Sequence, residues 1–470
     1  MSKISSMMDV GKRSLQNSQT ALQTVSHNIA NKSTEGYSRQ NVSLVANNPI
    51  SEGNLQIGTG ARAAMVTRTN NPWIEKQIQR EGASLGYAEG RADSLGRVEQ
   101  VYNEQMNKGL NQYVTDFFNA FREVSNNPES STSRTLVRES GNALAQDFKR
   151  VTEQLRNVQK DIDGQVITGI EEVNQMTKEI ATLNEKIQIV ENHGVHANDE
   201  RDRRELLLKK LGEKLDITWG EGKDGMVSVT GGNTAVLVSG ASSTELKARG
   251  DAARDRIEIF YRANDSGTLF NITDQFKGGK LGGVLNVRDK VVEDYLAGID
   301  QMAYQLSMEV NKIHIEGYDR YGKDGILFFE GADQVEGAAA NLAINSAILN
   351  DVGRIAAGNK QNAPGDNTIA NMISSLQFRG IMNDGKDSFD DYYNSIVGEV
   401  GTVTQRASKT FEAQKNIMAQ LTNIRESISG VSLDEETTKM IEMQKAYEAS
   451  ARMIRVADEM LETVLSLKRM

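Results

Sequence analysis

The 470-residue chain contains no cysteine, which removes disulfides, thiolate catalysis and cysteine-ligated metals from consideration. It has four prolines, 6% aromatic residues and a mean hydropathy of −0.49, values low for a compact enzyme core and better suited to long helices with polar backs. It has no run of about 18 apolar residues that could span a membrane. The first 25 residues also lack the apolar stretch and small-residue cleavage site of a secretory signal. Positive charge is scarce: 54 Lys and Arg against 64 Asp and Glu give a formal charge of −10 and a pI near 5.2. With no long basic run, a nucleic-acid partner bound by counterion release is excluded, and no membrane insertion is expected.

What the chain does contain is helical periodicity. At its start Ile4, Met8, Gly11, Leu15, Ser18, Leu22, Val25 and Ile29 alternate steps of four and three, the spacing of a narrow coiled-coil seam. Gly11 and Ser18 dilute that seam, so the helix needs a partner. At the other end Leu433, Met440, Tyr447, Ile454 and Leu461 fall seven apart, with Met443, Ser450, Ala457 and Val464 interleaved. The two seams are predicted to pair, and their small, polar backs suit close approach of helices in a polymer.

Between them, residues 31–70 read as loop with short strands. Asn71-Pro72 supplies a cap and a first-turn proline for a helix to about 106, and a second helix covers about 109–124. A third seam runs Leu144, Phe148, Val151, Leu155, Val158, Ile162, takes an extra step near Val166, and resumes from Val173 to Val190. After a short charged helix the period changes to two in "LDITWG", "GMVSVT", "TAVLVSG", "RIEIFYR" and "TLFNIT". "GGKLGG" returns the chain to helix over about 284–316; residues 317–388 carry no assigned order; helices follow over about 389–429 and 434–467. The expected fold is mainly α with an inserted β domain, in a nested architecture. Residues 1–35 and 430–470 form paired terminal coiled-coil helices, 36–212 and 281–429 a helical bundle-like middle, and 213–280 a small β insertion.

Catalytic patterns find little support. His193 and His196 stand near metal-ligand spacing, but they straddle a helix end and no third ligand recurs, so a metal-dependent enzyme is the alternative of another class. In "DRYGKDGILFFE", Tyr321 and Lys323 occupy places where a calcium loop needs oxygen ligands. Gly58-Thr59-Gly60 lacks the strand and helix of a phosphate loop, and no nucleophile elbow appears. No enzyme activity, cofactor or metal is expected.

The remaining signal is "VSHNIANKSTEGYSRQ", residues 25–40. The first helix is expected to end at Asn31, whose amide tolerates a left-handed cap, with Gly36 supplying a positive φ. Thr34 bonds local backbone, Tyr37 brings a ring with a polar tip, and Arg39 a planar fork of donors. Together they define a rigid exit from a terminal helix, with His27 on the helix surface. The set Asn28, Ile29, Ala30, Asn31, Thr34, Gly36, Tyr37 and Arg39 resembles the signature after the first helix in the axial proteins of the bacterial flagellum: rod, hook and hook-associated proteins. "EMQKAYEASARMIRVADEMLETVLSL" is similar to their C-terminal helix. The long helical region at 72–190, "NDERDRRELLLKKL" and "LGGVLNVRD" resemble, in that order, the hook-associated protein 1 family, whose members stand on the hook side of the hook–filament junction; a hook or distal rod protein is the alternative.

The resemblance implies a structural protein, exported unfolded through the flagellar type III apparatus and residing outside the cell at the junction. It implies terminal helices that order on assembly, and a homo-oligomeric ring touching hook protein on one side and a second, flagellin-like hook-associated protein on the other. It also implies a cytoplasmic export chaperone on the C-terminal helix before secretion. A chain without cysteine and with few prolines suits threading and refolding.

Overall fold

The computed structural model describes every residue except 1, 53–54, 104–107, 252–254, 263–267, 331–333 and 468–470. Helix α1 (Ser2–Ala30) leads into a hairpin in which β1 (Gln40–Ala46) pairs antiparallel with β4 (Ala61–Arg68), the tip being β2 (Ile50–Glu52) with β3 (Leu55–Ile57). Asn17 clamps the hairpin to α1: its Nδ2 donates to Ala61 O at 2.9 Å and its Oδ1 accepts from Ala63 N at 2.8 Å.

Helix α2 (Pro72–Val101) begins as the sequence dictates, Asn71 Oδ1 accepting the Trp73 N–H ahead of a first-turn proline. It stops at Val101 rather than near 106, with Tyr102 as its cap; residues 104–106 lie outside the described residues. Helix α3 (Leu110–Asn126) follows, and Ser130 caps α4 (Ser131–Glu191), a single helix of 61 residues. Along α4 the buried residues Val158, Ile162, Val166 and Ile170 step by four before Val173. That stutter rotates the buried stripe, so one part of α4 meets Phe117 of α3 at Gly141 while a later part meets strands.

After α5 (Asn198–Lys214) come β5 (Ile217–Glu221), β6 (Val227–Gly231), β7 (Ala235–Ser239) and β8 (Ser242–Ser243) as a consecutive four-stranded sheet. A second sheet orders β11 (Leu269–Asn271), β10 (Arg256–Arg262) and β9 (Leu246–Asp251). Two asparagines of α4 fasten these sheets. Asn184 accepts from Val227 N and donates to Val227 O and Gly240 O, and Asn174 exchanges both bonds with Leu246. Amides inside a helix, Asn184 buried and Asn174 half-buried, thus satisfy backbone groups that the strands leave open.

The return to helix starts at Gly279, earlier than the expected 284. α6 (Gly279–Asn286) passes through a π-turn (Val287–Val291) into α7 (Val292–Ile315). A Cβ on Gly283 would lie 2.3 Å from Tyr87 O, so only bare backbone lets α6 rest on α2. The π-turn carries Arg288, fully buried and paired with Asp163 and Asp289.

The unassigned 317–388 region contains β12 (Phe329–Glu330), α8 (Ala338–Asn341), β13 (Ala343–Ile344), α9 (Ser346–Asn350) and α10 (Thr368–Ser375), β12 pairing with β13. Phe328 and Phe329 join Phe117, Phe118, Phe121 and Phe389 in one cluster of ring contacts. Half of the chain's 12 phenylalanines therefore sit in one core, which is how a chain poor in aromatics builds a stable centre. α11 (Phe389–Ser429) runs along α2, and α12 (Leu433–Leu467) returns to α1. The fold is mainly α with an inserted β region.

Candidate assembly site at the paired chain ends

Helices α1 and α12 pack antiparallel through small residues. A Cβ on Gly11 would lie 2.8 Å from Ile454 Cγ1, and Ser14 and Ser450 share a hydrogen bond at 2.7 Å. Ser18, Ser450 and Ala457 are buried, as is Val25, while Ile4, Met8, Leu15, Leu22 and Ile29 are half-buried. On α12, Met440, Met443, Ile454 and Leu461 are half-buried.

Leu433, Tyr447 and Val464, expected in the seam, are instead exposed by 39%, 39% and 40%. The antiparallel register explains two of them: Leu433 falls beyond the end of α1, and Val464 falls opposite its first residues, where the partner runs out. Tyr447 is exposed while its neighbour Ala446 faces α1 near Ser14.

At the base of this pair the motif residues converge. Asn28, 1% exposed, uses all four of its hydrogen-bonding positions. Its Nδ2 donates to Gln40 O and to Glu436 Oε2, both at 2.9 Å; its Oδ1 accepts from Tyr37 Oη at 2.7 Å and Gln40 N at 3.0 Å. Glu436 is fully buried, and its other oxygen takes Arg39 Nε at 2.8 Å; Arg39 also reaches Glu435 at 2.7 Å. The Arg39 N–H donates to Ser429 O, and the Arg39 carbonyl accepts from Thr69 N. A carboxylate buried with an arginine and an amide donor is the arrangement in which desolvation is offset by charge-assisted bonds.

Helix α1 ends at Ala30, which is exposed, and the left-handed residue is Gly36, at φ +83°, rather than Asn31. Asn31 N–H still bonds His27 O, and exposed Thr34 donates its hydroxyl to Asn31 Oδ1 at 3.2 Å. His27 lies on the helix surface, 3.2 Å from Asp199.

The turn is also tied to the body of the molecule. Ser38 N donates to Asp202 at 2.7 Å, and Arg68 bridges Asp202 and Glu205 at 2.6 and 2.7 Å. Gln40 Nε2 donates to Asp199 at 2.7 Å. Arg425, near the end of α11, donates to the carbonyls of Gly36 and Tyr37 and pairs with Glu75 of α2, which Lys209 also contacts. Burial pushes the Tyr37 hydroxyl well above its usual range, with Asp199, Asp202 and Glu436 adding to the effect, so it remains a donor to Asn28. Burial also raises the Asp202 carboxyl, against the opposing pull of Arg68.

Sequence reasoning found Asn28, Tyr37 and Arg39 but missed Glu436, Asp202, Glu75 and Arg425. Glu436 reads as an ordinary first-turn acid, Asp202 lies within "NDERDRRELLLKKL" without standing out from its charged neighbours, and Glu75 and Arg425 lie in charged helices with no motif. Of the two loop histidines, His193 Nδ1 donates to Ile189 O and His196 lies 4.0 Å from Glu191. No group of three potential metal ligands exists among the described residues. The site contains no nucleophile–base pair. What it does mechanically is fix both chain ends, the hairpin and α5, α2 and α11 to one point.

Comparison with known proteins bears on this geometry. Residues 95–329 match the family described as flagellar hook-associated protein FlgK helical domain, and residues 425–467 match the flagellar basal body rod FlgEFG protein C-terminal family. The chain is 30% identical to flagellar hook-associated protein 1 of Bacillus subtilis (strain 168), over 98% of this chain and 97% of that one. It is 23% identical to flagellar hook-associated protein 1 of Escherichia coli (strain K12), over 99% and 100%. The solved structure of the flagellar hook junction protein FlgK from Burkholderia pseudomallei superposes with a TM-score of 0.67 at 14% identity, covering 75% of this chain and all of that one, a likeness of fold.

Proposed function

Because the chain belongs to the flagellar hook-associated protein 1 family, we propose that it is a structural protein of the bacterial flagellum that forms a ring on the hook side of the hook–filament junction. The observation that carries this reading is the antiparallel pairing of α1 with α12, anchored where Asn28 and Arg39 meet Glu436. A shaft made of both chain ends, with a rigid base, is what a subunit needs in order to hand its angle to its neighbours. The seam residues Ile4, Met8, Leu15, Leu22, Val25 and Ile29, with Met440, Met443, Ile454 and Leu461, hold the shaft together. The outward residues Ile441, Val456, Met460 and Val464, each at least 40% exposed, are the surface that assembly covers.

On this reading residues 1–35 and 430–470 form the inner axial part, 36–212 with 281–429 the helical body, and 213–280 a surface insertion. The ring contacts hook protein below and a flagellin-like hook-associated protein above. Export proceeds unfolded through the flagellar type III apparatus, with a cytoplasmic chaperone covering α12 beforehand, and the role requires no catalysis or cofactor. The hook or distal rod alternative shares the C-terminal helix; the helical-domain match over 95–329 favours the junction.

Electron microscopy of a strain lacking the gene, with an assay for flagellin in the medium, tests the reading. Bare hooks with secreted flagellin support it. Missing hooks would assign the chain to hook or rod, and normal filaments would overturn it. For the chaperone, unchanged binding to a chain truncated before Asp434 would remove that part.

A further inference from the structure

A cleft of about 830 Å³ opens between one face of α2, the middle of α11 and the start of β5. Its lining is out of keeping with an acidic chain: Lys76, Arg80 and Arg91 from α2, Arg406 from α11 and Lys277 before α6 contribute five cations, and Asp216 is the lone carboxylate. None of the five cations forms an ion pair among the described residues, although the rest of the molecule pairs its arginines extensively, as at Arg39, Arg68, Arg201 and Arg288. Lys76, Arg80, Lys277 and Arg406 are exposed, and the Arg91 Nε is buried with no hydrogen-bond partner. A buried guanidinium N–H left open costs free energy unless something outside the chain accepts from it.

The spacing on α2 has the same meaning. Lys76, Arg80 and Arg91 lie on one helical face with Tyr87, and Lys76 and Arg80 stand one turn apart, a like-charge pair that destabilises an isolated helix. The neighbouring charged residues do not relieve it. Lys280 answers Glu89 and Asp93, and Lys209 answers Glu75. Trp219, whose indole N–H donates to Gln79, gives the cleft one apolar wall.

We infer that this cleft is an electrostatic socket for the acidic surface of a second copy of the chain. The argument is charge complementarity. Without the five cations and one carboxylate of the cleft, the rest of the molecule holds 49 Lys and Arg against 63 Asp and Glu, so the surface that a neighbouring copy offers is acidic on balance. A socket on one face that takes a different face of the next copy is a heterologous contact, the kind that closes into a ring when the rotation allows. Opposed charge of this type sets register and suppresses wrong partners. The inference rests on the ring reading above and adds the surface through which lateral neighbours meet.

The test uses the full chain in cells, with a photo-crosslinking residue in place of exposed Thr410 at the cleft. Crosslinked species at two and three times 51.7 kDa in isolated junctions are expected. In the Lys76→Glu, Arg80→Glu, Arg406→Glu variant their yield should fall at least about tenfold, because reversed charge sets like against like in the contact. All three residues are exposed, so the thermal midpoint of the purified variant should match the parent and separate a lost contact from a lost fold. A crosslink to a protein of another mass, or a self-crosslink unaffected by charge reversal, would overturn the inference. So would a chain located at the junction by immunogold that gives no self-crosslink. A chain absent from the junction would instead overturn the ring reading itself, and this inference with it.

Discussion

Asn28 Nδ2 donates to Glu436 Oε2 at 2.9 Å, joining the third-last residue of the first helix to the fourth residue of the last across 408 positions of sequence. The same carboxylate takes Arg39, so one buried side chain fixes both the angle of α12 and the direction in which the chain leaves α1.

Glu436→Ala should therefore detach the shaft from the body without melting the body. It leaves the Asn28 amide and the Arg39 guanidinium without their shared acceptor, a loss of about 2–4 kcal/mol for a buried pair broken on one side. Hydrogen exchange should accelerate in α1 and α12 and stay slow in α3 and α4. Unchanged protection of α1 would mean that the hub does not hold the pair.

At Gly11 the limit is space. Gly11→Val places its branch against Ile454, whose Cγ1 already lies 2.8 Å from where a Cβ would stand, so the helices must separate. The double variant with Ile454→Ala should recover at least about 1 kcal/mol of the loss, a coupling expected only for residues in direct contact. Ile454→Asp should leave the body folded and block incorporation, since a charge in the seam opposes pairing. Normal junctions in that variant would refute the seam.

Gly283→Ala tests the body instead. The added Cβ would meet Tyr87 O at 2.3 Å, and backbone on both sides leaves no side chain to move aside. A loss of more than about 3 kcal/mol is expected, read as a lower thermal midpoint, from strain at a close helix contact.

His314 predicts an acid-labile joint. Its Nδ1–H donates to Ile326 O at 2.6 Å and its Nε2 accepts from Ala356 N at 2.9 Å, so the ring is neutral and has no place for a second proton. Burial, with a smaller contribution from Arg134, lowers its pKa to about 4 from 6.5, against the opposing pull of the Ile326 carbonyl and Asp319. The unfolded chain binds more protons throughout that window. The stability this ring contributes is thus whole above pH 6.5 and is lost as pH falls towards 4, roughly 3 kcal/mol in all. Urea midpoints measured from pH 4 to 8 should show the decline, and His314→Asn should flatten it.

The elements that were legible in the sequence are those coded locally. The Asn71-Pro72 start of α2, the extra step of the α4 stripe at Val166 and the period-two strands each follow from neighbouring residues. The hub was legible on one side only. Asn28, Tyr37 and Arg39 form a compact motif, but Glu436 looks like any first-turn acid, and Arg425 and Asp202 resemble solvated helix charges. Leu433 and Val464 were misread because a heptad pattern says where a seam lies, not where its partner ends.

The sequence by itself determined that this is a cysteine-free, acidic, helix-dominated chain with weak complementary seams at its two ends, because composition and helical period are properties of short windows. Only the tertiary structure decided that Glu436 is the shared acceptor, that Gly283 must be bare, and that five cations without an ion pair among the described residues line one cleft. Each of these depends on residues far apart in the sequence, 408 positions for Asn28 and Glu436, arriving at the same point, and no local propensity records that meeting.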